Sequence, residues 1–110
     1  MKIVLIYPYF IEKRIQNGDV GVVPMGLFHI GALLMENGFS VEILNLYQYT
    51  KTSPEIPDIL IREKPDIIGF SILNGNRRGG IEIAEIAKKL NPSVQIVFGG
   101  AGATFLWQHL

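Results

Sequence analysis

Four short runs of apolar and β-branched residues punctuate the chain, separated by longer stretches with a helical repeat. Residues 2–7 (KIVLIY) are apolar almost throughout and stop at Pro8. A run without polar alternation is what a strand buried on both faces of a parallel sheet looks like. Val41–Leu46 (VEILNL) alternates more and follows the turn pair Asn37-Gly38. Asp66–Ser71 (DIIGFS) is reached through Lys64-Pro65. Val94–Phe98 (VQIVF) is reached through Asn91-Pro92 and closes on Gly99-Gly100.

The intervening stretches read as helices. Pro24 suits a first helical turn, where a missing N–H costs nothing. Leu27, Ile30, Gly31 and Leu34 then recur at helical spacing, and Gly38 supplies a stop. Ser53-Pro54 opens a second helix with Ile56, Ile59 and Leu60 on one face, although Pro57 blurs its start. In the third, Ile83, Ile86, Ala87 and Leu90 form a buried stripe. Glu82, Glu85, Lys88 and Lys89 form its wet face, with Glu85 and Lys89 spaced for an ion pair. Thr104–Leu110 has a last helical pattern.

Strand followed by helix, four times over, predicts an α/β doubly wound parallel sheet, flavodoxin-like or Rossmann-like, with helices on both faces. A fifth strand is usual in such a sheet and is expected to be missing here. Ligands of doubly wound sheets bind outside the carboxyl ends of the strands. The residues to inspect therefore follow Tyr7, Leu46, Ser71 and Phe98. Pro8–Val23 is a long connection with little periodicity, a length that in compact domains usually marks function or disorder.

Composition narrows the chemistry. The chain has 110 residues, enough for one domain, and 10 basic residues balance 10 acidic ones. That balance leaves no basic footprint for nucleic acid. No apolar run reaches the roughly 18–20 residues of a membrane span, and the short apolar start lacks a signal peptide's cleavage site, so a cytoplasmic location is expected. There is no cysteine, which excludes disulfides, thiolate metal sites and a cysteine nucleophile in this chain. The two histidines, His29 and His109, fall in no metal-ligand spacing, and no protein-only metal site is expected.

The predicted strand ends exclude three common uses of the fold. The first lacks the G-x-G-x-x-G turn that places a pyrophosphate on a helix N-terminus. It also lacks a Ser/Thr-rich phosphate loop and the acidic cluster of a phosphoacceptor. Tyr7 and Tyr9, with Tyr47 and Tyr49 at the next strand end, either line a pocket or cover the rim. Ser71 carries a short hydroxyl where a ligand could bond it, or simply ends its strand. Arg77 and Arg78 precede the third helix and could meet an anion or form a solvated edge. Gly99-Gly100-Ala101-Gly102-Ala103-Thr104 would let a flat ligand lie against backbone, or would serve only as a tight turn.

Taken together these stretches resemble the cobalamin-binding domain found at the N-terminus of cobalamin-dependent radical S-adenosylmethionine enzymes, of the methyltransferase or oxidative cyclase type. The resemblance runs over nearly the whole chain. It is carried by KIVLIYP before a long loop, by Val23-Pro24-Met25-Gly26-Leu27, and by the helix end Asn37-Gly38-Phe39-Ser40-Val41. Lys64-Pro65-Asp66-Ile67-Ile68-Gly69-Phe70-Ser71, the helix and turn from Glu85 to Pro92, and Ile96–Gly100 with Thr104 carry the rest. Of the three signatures of cobalamin domains, S-x-L is matched by Ser71-Ile72-Leu73 and G-G by Gly99-Gly100. D-x-H-x-x-G is not matched: in the nearest window, Asp19–Pro24, Gly21 stands where histidine belongs. The radical S-adenosylmethionine branch commonly lacks that lower cobalt ligand.

What the resemblance implies is specific. The cofactor would be cobalamin, its dimethylbenzimidazole tail displaced from cobalt into a slot between the sheet and the loops after the third and fourth strands. Ser71 would bond the tail, Gly99 and Gly100 would make room for it, and Leu73 and Asn74 would line the corrin side. Gly102 and Thr104 complete the expected cofactor-binding set. No residue is expected to be catalytic. A radical enzyme of this class holds a [4Fe–4S] cluster with C-x-x-x-C-x-x-C, and that motif is absent. Residues 1–110 are thus expected to be a single cobalamin-binding-like domain, an N-terminal piece of a longer polypeptide. Cluster, S-adenosylmethionine and catalysis would reside in the C-terminal radical domain, its partner. The alternative is a degenerate flavodoxin-like docking domain without cofactor; a nucleotide-binding role through Arg77 and Arg78 is a third reading.

Overall fold

The computed structural model describes residues 1–9, 25–46, 49, 53–72 and 76–100. Seven elements alternate: β1 (Lys2–Tyr7), α1 (Met25–Glu36), β2 (Ser40–Asn45), α2 (Glu55–Glu63), β3 (Ile67–Ser71), α3 (Arg77–Leu90) and β4 (Gln95–Gly99). The strands form one parallel sheet in the order β2-β1-β3-β4. The doubly wound α/β architecture read from the pattern is therefore present. The chain steps from β1 to β2 in one direction and returns past β1 to β3 in the other. Right-handed crossovers then put α1 on one face and α2 with α3 on the other.

Local chemistry explains the boundaries. Gly38 has φ of 86°, a left-handed value that glycine adopts without Cβ penalty, and it turns the chain off α1. Pro57 is the third residue of α2, within the first turn, where its missing N–H leaves no helical bond unmade. Lys64 ends that helix in the left-handed region, its N–H donating to the Leu60 carbonyl. The strands β2, β3 and β4 lie within one residue of their expected limits. Gly99 joins β4 because the Ile72 N–H donates to its carbonyl at 2.8 Å.

The two faces of the sheet bury different cores. On the α2/α3 side, Val4, Ile6, Ile68, Phe70 and Ile72 pack against Ile56, Leu60, Ile83 and Ala87. Phe70 and Phe98 stack across β3 and β4 with ring centroids 5.4 Å apart. Full burial of one such side chain contributes about 1.5–3 kcal/mol. On the α1 side a smaller cluster joins Ile3, Leu5 and Tyr7 to Leu27 and Val41.

The third helix departs from its expected faces. Leu90 is exposed rather than part of the buried stripe, on a groove that it lines with Leu60, Lys64 and Asn91. Glu82, placed on the wet face by periodicity, instead accepts a 2.7 Å hydrogen bond from the Tyr9 hydroxyl. Glu85 and Lys89 do not pair; the ion pair among the described residues is Lys2–Glu63 at 3.5 Å. Lys88 donates to the carbonyls of Pro92 and Val94, tying the helix end to its turn.

Candidate functional site

The carboxyl end of the sheet is asymmetric. Leaving β1, Pro8 and Tyr9 turn toward α3 and are buried. A Cβ on Gly79 would lie 2.0 Å from the Tyr9 carbonyl oxygen, and one on Gly80 would lie 2.6 Å from Ile72 Cδ1. These two helical glycines let the segment after β1 press directly onto α3. The Tyr9 hydroxyl, buried and hydrogen-bonded to Glu82, has its pKa pushed far up, first by burial and then by that carboxylate. Tyr9 is thus a core residue of the α2/α3 side.

The α1 side is open. Among the described residues, α1 packs on β1 and β2 and no helix packs on β3 and β4 on this side, so a trough runs along them with a volume of about 360 Å³. Ile67, Gly69, Val97 and Gly99 form its floor, and Gly26, Leu27, Ile30 and Leu34 of α1 form its wall. Val97 is 53% exposed. Ser71 and Gly100 stand at the end where the strands finish, the end at which doubly wound sheets take ligands. A second groove, about 430 Å³ among Leu60, Lys64, Pro65, Leu90 and Asn91, lies at the opposite, amino end of the strands and away from that position.

Three of the expected site residues converge there. Ser71 pairs with Gly99 across the β3–β4 ladder, and both border the trough with Gly100. A Cβ on Gly99 would find nothing nearer than the Phe70 carbonyl oxygen at 3.8 Å, so a side chain there would occupy the trough. Gly100 is required for another reason. Its φ is 91°, and a Cβ would come within 2.9 Å of the Ile72 carbonyl oxygen. Leu73, Asn74, Gly102 and Thr104 lie outside the described residues, as do most of the Pro8–Val23 connection and the segment Thr104–Leu110.

Periodicity missed one residue that shapes this end. Asn76 is fully buried at the start of α3. Its side chain makes no capping bond and instead donates from Nδ2 to the Ser71 carbonyl at 3.2 Å. It fixes the strand end from which the Ser71 side chain projects. An Asn one residue before a helix was the only signal. Arg77 and Arg78 are the first residues of α3, half-buried and exposed respectively. His29 is exposed on α1.

A parallel four-stranded sheet with one sealed face and, among the described residues, an apolar trough on the other that ends at Ser71, Gly99 and Gly100 has the form of a doubly wound α/β domain with a candidate ligand cleft. The B12 binding domain family matches residues 17–110, and the chain belongs to that family. It is also 31% identical over 107 residues to an uncharacterized methyltransferase, PH0819, of Pyrococcus horikoshii. That match covers 96% of this chain and 23% of the relative, so the chain spans about a quarter of the relative's length. Among the described residues, no helix is long and apolar enough to cross a membrane.

Proposed function

We propose that residues 1–110 form the cobalamin-binding module of a longer radical S-adenosylmethionine enzyme that carries out methyl transfer or cyclisation. The observation that carries this reading is the trough itself, in a chain of the B12 binding domain family. It is apolar, floored by glycines, and ends at Ser71, Gly99 and Gly100. Its volume sits near the lower end of small-molecule clefts, about 300–1,000 Å³. That suits the planar benzimidazole tail of cobalamin, with the wider corrin left outside at the rim.

In this reading the residues bind, orient and exclude water. Gly26, Gly69 and Gly99 present no side chain to the trough, so the tail can lie against backbone. Leu27, Ile30 and Val97 cover it with apolar surface, and the Ser71 hydroxyl meets a polar atom of the tail near its mouth. Leu73, Asn74, Gly102 and Thr104 would face the corrin side. When bound, methylcobalamin supplies a transferable methyl group. The relative's designation as a methyltransferase supports methyl transfer. The cluster and S-adenosylmethionine would belong to the remainder of the polypeptide, since this chain has no cysteine to hold iron.

Hydroxocobalamin should co-elute with the protein on gel filtration and show a base-off absorption spectrum. Gly99→Leu fills the trough and should weaken retention at least tenfold, while the exposed Glu85→Ala should leave it unchanged. Absence of retention at high micromolar cofactor, with protein folded by circular dichroism, would overturn cofactor binding. The radical assignment is tested separately by whether C-x-x-x-C-x-x-C follows in the parent gene.

A further inference from the structure

The β1–β3 ladder lacks a donor at its carboxyl end. In a sheet, successive residues of a central strand turn their N–H and C=O groups alternately to the two neighbouring strands. The Tyr7 carbonyl faces β2, where it accepts from the Leu46 N–H at 3.0 Å, so the nitrogen of residue 8 faces β3. The register runs from Ile3 opposite Ile67 to Ile6 opposite Phe70. Carried one step further, it aims the residue 8 nitrogen at the Ser71 carbonyl. Residue 8 is proline and has no N–H to give.

Asn76 supplies what Pro8 cannot. It is fully buried at the position from which a polar side chain ordinarily caps a helix. It makes no capping bond and donates from Nδ2 to the Ser71 carbonyl at 3.2 Å, meeting the demand of a strand-end carbonyl for a partner. The same peptide group is held at its other side, where the Ile72 N–H donates to the Gly99 carbonyl at 2.8 Å. With both sides of the Ser71–Ile72 peptide fixed, the direction of the Ser71 side chain is fixed too. Its hydroxyl stands beside Gly100, where an added Cβ would lie 3.5 Å from Oγ, at the end of the trough.

We infer that Asn76 is a positioning residue for ligand binding, replacing the ladder donor that Pro8 lacks and so holding the Ser71 hydroxyl at the trough mouth. This rests on the trough being the cofactor site. Asn76 then acts on affinity through Ser71, and Pro8 and Asn76 form a matched pair in which one side chain makes good the donor missing from the other.

Hydroxocobalamin titrations of the chain and its variants test this, each with folding verified by circular dichroism. Ser71→Ala, and Asn76→Leu, which keeps most of the volume and removes the donor, should each weaken binding about threefold to tenfold, the worth of one neutral hydrogen bond. Combined, they should weaken it by no more than about twofold beyond the larger single effect, because the second change removes an interaction already lost. Pro8→Ala in the Asn76→Leu background returns an N–H to the rung and should recover most of the loss. Where Asn76→Leu does not fold, Asn76→Ser, whose shorter side chain caps the helix instead, takes its place in both combinations. Three results with a binding wild-type chain would overturn the inference and leave the trough reading intact. They are either single variant binding as wild type does, effects that multiply in the double variant, and a loss that Pro8→Ala does not relieve. A wild-type chain that binds no hydroxocobalamin would overturn the trough reading and the role of Asn76 with it.

Discussion

The face of the sheet under α2 and α3 is closed, and the face under α1 is half open. The same four strands build both. On the closed side Ile6, Ile68 and Ile72 are without measurable exposure, and even the chain leaving β1 is pressed into the packing. On the other side Val97 is exposed, and half-buried Gly69 and Gly99 line the trough beside α1 with it. The asymmetry follows from winding: among the described residues, two crossover helices cover one face, and the single crossover helix on the other packs on β1 and β2. Residues on the closed face hold the fold, and residues on the open face are free to meet a ligand. Substitutions of one kind on both faces should therefore give opposite results.

The largest contrast is between glycines. Gly79→Ala would drive a Cβ to 2.0 Å from the Tyr9 carbonyl oxygen, a backbone atom that cannot move without shifting β1's exit. We expect a loss of more than about 3 kcal/mol in chemical denaturation, or failure to fold. Gly26→Ala, on the trough wall with nothing within 4 Å, should be neutral or slightly stabilising, by up to about 0.5–1 kcal/mol for alanine in a helix. Equal effects would mean that the trough is closed in solution.

Truncating Ile68, fully buried on the closed face, to alanine should cost about 2–5 kcal/mol through lost burial and the cavity left behind. An intermediate effect is expected for Tyr9→Phe. It removes the hydroxyl that donates to Glu82 at 2.7 Å, worth about 1–2 kcal/mol near neutral pH. Its signature is in the pH dependence. The Tyr9 pKa is raised above its ordinary value of 10.0 in the folded state, so the neutral phenol is the form that folding favours. The stability tied to it is complete below pH 10 and declines as pH rises above it, where the unfolded chain ionises first. The phenylalanine variant lacks this titration. The gap between the two proteins should narrow above pH 10, and a constant gap would show that the hydroxyl is not held by Glu82.

How much of this was legible in the residues depends on the range of the interaction. β1 was readable to the residue because a strand buried on both faces has no alternation to blur. The ends of β2, β3 and β4 moved by one because ladder hydrogen bonds, such as Ile72 to Gly99, extend strands without regard to side-chain character. Ser71, Gly99 and Gly100 could be singled out because they follow apolar runs, and the ladder does set Ser71 beside Gly99. Glu82 could not be read, since its partner is 73 residues away and helical periodicity sees only neighbours. The trough was equally hidden. It arises from which strands α1 fails to cover, and only the strand order reveals that.

The smallest expected effect is the sharpest test of the open face. Val97→Ala removes the same kind of group as Ile68→Ala, one register step away on the neighbouring strand, but from a side chain already 53% exposed. Little apolar area is lost and no enclosed cavity forms, so stability should change by less than about 0.5 kcal/mol. If the trough holds the cofactor tail, the same variant should nonetheless weaken hydroxocobalamin retention severalfold, because Val97 contributes apolar surface to the floor. Stability untouched with retention lowered separates a ligand surface from a structural one. A stability loss approaching that of Ile68→Ala would instead mean that another part of the protein packs on β4 and that Val97 belongs to its core.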